Sequence, residues 1–170
     1  MSEKKEITEI EQTLVLIKPD GIERGLVGEI IKRFEQRGLK IVGMKMVQAD
    51  KSLAGKHYKE TIEHKHGKHV RDYLLDYLIS GPVIAMVIQG SDAISVVRKI
   101  VGSTYPGEAD IGTIRGDYTH ASKEYVKKNN QGHNLIHASE NEEDAKKELS
   151  LWFSIDEIHE YKLSHEEHIY

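Results

Sequence analysis

No cysteine occurs in the 170-residue sequence, so disulfides and thiolate-held metals are excluded. Any metal must find oxygen or imidazole ligands, or arrive bound to a substrate. Only 3 prolines, 2 phenylalanines and 1 tryptophan are present. No apolar stretch approaches the roughly 20 residues that a membrane-spanning helix needs. Residues 1–12 are polar and rich in Glu and Lys, and they lack the apolar centre of a signal peptide. A cytoplasmic location is therefore the expectation. A basic excess is also missing, because the net charge is -4 with His neutral. That balance argues against a general nucleic-acid binder, although a local cationic pocket for phosphates remains compatible with it.

What is there is ordinary for a folded domain, with 38% apolar and 31% charged residues. The length suits a single domain over residues 1–170 behind a short polar tail, residues 1–12. A chain of this size can bury roughly 70% of its extended surface. Thr13 to Lys18 is a β-rich run stopped by Pro19-Asp20-Gly21, a turn signal. Leu26, Ile30, Ile31 and Phe34 share a helical face between Gly25 and Gly38, and Leu39 to Ala49 then alternates as a half-buried strand does. Helical patterns follow near Ser52–Thr61, where Ser52 can cap, and over Lys68–Ile79. Val83 to Ile88 reads as a buried strand, and Ser91 and Asp92 open a helix through Val101. Gly102 to Gly116 is irregular, Asn134 to His137 a short strand, Glu142 to Trp152 a last helix, and the remainder an acidic tail to Tyr170. The core order βαββαβ predicts an α+β, ferredoxin-like fold, a four-stranded antiparallel sheet with helices packed on one face.

Three clusters could carry chemistry. Lys18 stands where a strand meets a turn and can direct an ammonium group at a ligand, or simply end the strand in water. No G-x-x-x-x-G-K-[ST] sequence occurs, so a Walker-type phosphate cradle is absent. Arg98, Thr104 and the Gly112–Asp117 segment with Arg115 combine guanidinium groups, a hydroxyl and backbone N–H groups, which suit phosphate oxygens. Read singly, Arg98 is equally a surface residue and Arg115 a structural ion-pair partner. Asn134 to Ser139 places His137 at the end of an apolar strand ahead of a helix that carries Glu148. Neutral imidazole is a good nucleophile for phosphorus near neutral pH, and a carboxylate can orient it. Composition alone cannot choose His137 from the 10 histidines. The Glu63–His69 run has the histidines of a metal site, but its lysines repel a cation, so a solvated loop is expected there. His165 and His168 read the same way.

Order and spacing bind these clusters together. Lys18-Pro19-Asp20-Gly21 with Arg24–Ile30, Ser80–Val83, Gly112–Asp117 and Asn134–Ser139 resemble, in sequence order, the blocks of the nucleoside diphosphate kinase family. The resemblance runs from about Glu11 to Tyr170 and includes all 3 prolines. It implies transfer of the γ-phosphate of a nucleoside triphosphate to a nucleoside diphosphate, by a ping-pong route through phosphorylated His137. It implies phosphate contacts from Lys18, Arg98, Thr104 and Arg115, ribose contacts from Asn134 and Lys18, and Tyr58 beside the catalytic His and the phosphates. Ser139 and Glu148 are implied to orient the imidazole. Mg²⁺ is expected mainly on the nucleotide phosphates with no protein metal site, and the chain is expected to form a homo-oligomer, with a hexamer favoured. A silent family-like binding protein is disfavoured because the whole residue set is intact. An RNA-binding module of the same topology lacks its K/R-G-F/Y aromatic signature here.

The sequence departs from the family pattern in several places. The family commonly stacks the base on a Phe, and Val70 stands at that position; the segment from Lys59 to Val70 is longer than usual. Ala138 replaces the usual Gly, Glu140 the usual Asp, and Ile111 a frequent Pro, while Tyr118 to His133 is extended and reads as an exposed loop. Weaker base stacking should raise KM without narrowing base tolerance. Val70→Phe should then lower the nucleotide KM in steady-state assays, and an unchanged KM would move the base to another side chain.

Overall fold

The computed structural model describes residues 10–169. Its centre is β1 (Ile10–Ile17), whose Leu14, Val15, Leu16 and Ile17 are fully buried. β1 begins three residues ahead of Thr13, so Ile10–Gln12 belong to the sheet rather than to a polar tail; the rest of that anticipated tail lies outside the described residues. A strand covered on both faces reads as a continuous apolar run instead of an alternating one. On one face Val15 and Ile17 meet Ile30 and Phe34 of α2 (Val27–Gln36) and Val97 and Val101 of α6 (Ala93–Val101). On the other, Leu14 and Leu16 meet Ala54 of α3 (Lys51–His57), Leu78 of α5 (Lys68–Ile79) and Trp152 of α9 (Glu142–Trp152). The expectation of helices on one face is therefore corrected: two cores sandwich the sheet.

β2 (Lys40–Val47), β3 (Val83–Ser91) and β4 (Ile136–Ala138) complete a sheet of order β2-β3-β1-β4, with every neighbouring pair antiparallel. This is the ferredoxin-like α+β arrangement. β1 pairs with β3 along its whole length, from Ile10 opposite Ser91 to Ile17 opposite Ile84. β4 lies on its other side with His137 opposite Leu16. That register sets the start of β4, Ile136, beside the end of β1, Ile17, where Lys18 leaves the sheet.

Local differences from the sequence reading have clear causes. Pro19-Asp20-Gly21 does not form a bare turn but opens the one-turn helix α1 (Pro19–Glu23), because Pro at its first position has the φ a helix needs. Asp50, not Ser52, caps α3, its carboxylate accepting the Leu53 N–H at 2.7 Å. Glu63–His69 is not a loop. It forms the end of α4 (Glu60–His66) and the start of α5, joined at Gly67, whose φ of +95° suits glycine. The irregular Gly-rich stretch contains α7 (Ile114–Tyr118), capped by Thr113, and the extended Tyr118–His133 loop contains α8 (Lys123–Asn129), capped by Ser122. The acidic C-terminal stretch returns to the β2 edge: the His159 N–H donates to the Val42 carbonyl at 2.7 Å, and Lys40 donates to the Tyr161 carbonyl at 2.5 Å. Among the described residues no helix is long and apolar enough to cross a membrane.

Candidate active site

His137 is half-buried on β4, and the turn before it is unusual. The Ile136 N–H donates to the Asn134 carbonyl at 2.8 Å, closing a three-residue γ-turn around Leu135. Leu135 has φ +68°, a value bulky side chains rarely adopt, and strain of this kind costs about 1–3 kcal/mol. Burial of the whole Leu135 side chain and two hydrogen bonds hold it there. The Lys18 N–H donates to the Leu135 carbonyl at 2.8 Å, and the Leu135 N–H donates to the Asp20 carboxylate at 3.2 Å. Asp20 also accepts a short hydrogen bond from the Tyr77 hydroxyl, which in turn accepts the Asn134 N–H at 3.3 Å. Sequence reasoning missed both supporting residues. Asp20 passed for a turn former, and Tyr77 for one apolar position among several on α5.

The imidazole is oriented from one side. His137 Nε2 donates to Glu148 Oε2 at 2.9 Å, and the Ser139 hydroxyl donates to the same oxygen at 2.5 Å. Nδ1 thereby keeps its lone pair, the requirement for attack on phosphorus. Burial acts to raise the Glu148 carboxyl, but the facing His137 ring and its hydrogen bond, then the His57 ring and the Ser139 hydroxyl, outweigh it and hold the group at about 2.

The cations form a second cluster. Lys18 Nζ donates to Asn134 Oδ1 at 2.7 Å and stands 4.9 Å over the Tyr77 ring. Arg115 spends its guanidinium on three carbonyls, those of Asn134 at 3.1 Å, Gly102 at 3.0 Å and Ile136 at 2.6 Å. Asn134 Nδ2 donates to the Thr104 carbonyl at 3.0 Å, and Arg98 reaches the Ala138 carbonyl at 3.5 Å. The helix that carries Arg115 is clamped by Arg33 of α2, which donates to the Gly112 carbonyl at 2.9 Å and pairs with Asp117. Burial, then the Arg115 charge, pushes Lys18 down to about 7 against the pull of Asp20; burial, then Arg98, pushes Arg115 down to about 10. Two buried cations depressed in this way lack sufficient negative charge nearby.

A cleft of about 270 Å³ opens onto His137 and Glu148 and includes Tyr58, Ile62, Lys65 and His66 in its wall. Tyr58 is buried, and burial raises its phenol. Lys18, Arg98, Thr104, Arg115 and Asn134 do not line this cleft. The hydrogen bonds of Arg115 to Asn134 and Ile136 connect them to it across β4. Val70 is half-buried in the first turn of α5 and is also absent from the lining, whereas Ile62 and His66 of α4 are present. Sequence reasoning also missed His57, which packs on the His137 ring with centroids 4.5 Å apart. Its one available signal was its place immediately before Tyr58.

Ligand-type atoms of His57, His137 and Glu148 lie within 4.8 Å of one another. A resident metal is nevertheless a poor fit, because His57 Nδ1 accepts the Trp152 N–H at 3.2 Å and Glu148 is engaged twice.

A nucleophilic ring nitrogen beside undercompensated cations, on a ferredoxin-like sheet, is the equipment of a phosphotransferase. The chain belongs to the nucleoside diphosphate kinase family, whose model matches residues 11–158. A nucleoside diphosphate kinase of Pyrococcus furiosus is 50% identical over 155 residues, covering 91% of this chain and 90% of the relative. One from Sulfurisphaera tokodaii is 51% identical over 149 residues, covering 88% and 92%. The solved nucleoside-diphosphate kinase of Borrelia burgdorferi, a transition state mimic with bound vanadate and ADP, superposes with a TM-score of 0.89 at 43% identity, covering 92% of this chain and 95% of that one. The Halobacterium salinarum enzyme in complex with CDP gives 0.83 at 40% identity, covering 95% and 99%.

Glu148 also makes stability depend on pH. Its depressed pKa stabilises the fold fully above the unfolded value of 4.5, and this contribution is lost as pH falls toward about 2. Thermal unfolding of Glu148→Gln across that window should show a flatter acid decline than the parent protein; an equal decline would remove Glu148 as its source.

Proposed function

We propose that His137 is the phosphoryl carrier in the reaction this enzyme catalyses, transfer of the γ-phosphate of a nucleoside triphosphate to a nucleoside diphosphate. The observation that carries the reading is the engagement of Nε2 by Glu148 at 2.9 Å, which leaves Nδ1 as the free nucleophile. In the first half-reaction Nδ1 attacks the γ-phosphorus, the P–O bond to the β-phosphate breaks, and the diphosphate leaves. The second half-reaction is the reverse with another diphosphate, giving ping-pong kinetics. Glu148 and Ser139 orient the ring. Lys18, Arg98, Thr104 and Arg115 neutralise the phosphates, with Tyr58 beside them, and Asn134 and Lys18 hold the ribose. Val70, or a residue of α4 near it, meets the base.

Mg²⁺ enters on the nucleotide phosphates. Glu140, Asp144 and Glu148 are the acidic side chains of the cleft, and Glu148 is already committed, so the residues suit a substrate-borne ion better than a protein-held one. A cytoplasmic site of action fits the cysteine-free composition. The assembly is a homo-oligomer, with a hexamer favoured. Met44 and Met46 on the edge strand β2 are 57% and 61% exposed, which suits an interface.

Two experiments test this reading. Incubation with γ-labelled ATP and Mg²⁺ should leave acid-labile label on the protein, discharged as GTP by added GDP, reduced by chelation and absent in His137→Ala. Folded protein that takes no label would sink the carrier assignment and favour a silent nucleotide-binding protein. Sedimentation velocity should return a multiple of the 19.4 kDa chain, and a monomer would remove the oligomer.

A further inference from the structure

His57 is a buried titratable group that the phosphoryl-transfer scheme leaves unused. Its side chain has no solvent exposure, and three rings box it in. His137 lies 4.5 Å away with the planes at 80°, Tyr58 4.7 Å away at 69°, and Trp152 5.7 Å away at 87°. The Trp152 Nε1–H donates to His57 Nδ1 at 3.2 Å. An indole nitrogen can only donate, so Nδ1 holds a lone pair and the ring proton sits on Nε2. That Nε2–H is buried and has no partner among the described residues. A buried orphan donor at a reaction centre requires a reason.

We propose that His57 is a positioning residue for His137, held as a neutral Nε2–H imidazole by Trp152 so that the Glu148 carboxylate serves one imidazole only. The proposal rests on the phosphocarrier reading of His137. Glu148 has two imidazoles within reach, His137 Nε2 at 2.9 Å and His57 Nδ1 at 4.0 Å. A protonated His57 would present an Nδ1–H to the same carboxylate and compete with His137 for it. The indole N–H forbids that proton, because two donors would then face each other. Burial, then the charge of His137, pushes His57 down to about 3, against the pull of Glu148. The remaining charged neighbours, Lys18 at the end of β1 and Lys59 between α3 and α4, push the same way. The ring also packs edge-to-face on His137 and so opposes a flip that would exchange its two nitrogens.

Trp152→Phe keeps the aromatic bulk and removes the donor. His57 should then protonate beside Glu148, and kcat/KM should gain an acid-side decline in addition to any that the parent shows. The double variant Trp152→Phe/His57→Phe should lose that decline again. His57→Gln should lower kcat about tenfold or more with KM little changed, as displacement of a reacting group does. A folded Trp152→Phe whose pH profile superposes on the parent's would overturn the proposal. Should these variants fail to fold, histidine ¹⁵N NMR of the unaltered protein decides. A His57 that stays neutral with the proton on Nε2 between about pH 5 and 8 supports the proposal; an Nδ1–H tautomer, or titration within that range, overturns it. The NMR result is independent of whether His137 takes label, so failure of this inference and failure of the phosphocarrier reading are separable.

Discussion

The Asp20 carboxylate is the constraint on which the rest of the site depends. It joins three segments far apart in sequence: the exit of β1, the Tyr77 hydroxyl of α5, and the Leu135 N–H ahead of β4. The γ-turn at Leu135 is locally unfavourable and persists because its surroundings over-determine it. Charge-assisted hydrogen bonds to Asp20 are among the stronger available to the chain. With the turn held, Asn134 faces Lys18 and Thr104, and His137 stands in the middle of β4 in fixed register with Leu16. Geometry at one carboxylate thus becomes geometry at the imidazole.

Charge is partitioned with the same economy. Lys18 and Arg115 are buried and satisfied by an amide oxygen and main-chain carbonyls, none of which carries a full negative charge. The acid closest to the imidazole, Glu148, is kept on the Nε2 side and is engaged there twice. A carboxylate among the cations would have neutralised them and competed with phosphate. The folded chain therefore carries an electrostatic deficit around Lys18 and Arg115, fixed in place before any ligand arrives.

Much of the fold was legible because its signals are local. The apolar runs of β1 and β3, the face of α2 and the Glu142–Trp152 helix follow from periodicity, and α9 matches to the residue. The one-face expectation follows from the βαββαβ order alone, whereas the unbroken apolar run from Leu14 to Ile17 is the mark of a strand covered on both faces. Helices α7 and α8 escaped because side-chain caps hold them, and α4 because it packs on α5, none of them showing a long apolar stripe. At the site, the family resemblance named Ser139 and Glu148, which the fold sets against His137, and Lys18, Asn134 and Arg115, which it links by hydrogen bonds. It could not name His57, whose significance comes from the rings around it, nor show a left-handed Leu135, since leucine carries no marker for that conformation. Val70 illustrates the opposite limit: alignment by spacing selected a position, and the lengthened α4–α5 hairpin puts other side chains in the cleft wall.

The pairing of β1 with β4 has a consequence for biosynthesis. Lys18 and its Asn134 partner are 116 residues apart, and Lys40 and the Tyr161 carbonyl are 121 apart. Contacts of such separation carry a loop-closure cost that local helices do not. On the ribosome, a nascent chain that has exposed everything up to α7 holds a sheet with one vacant edge and cations with no amide beside them. When β4 emerges and docks, Lys18 gains the Asn134 amide and Arg115 the Asn134 and Ile136 carbonyls in a single event.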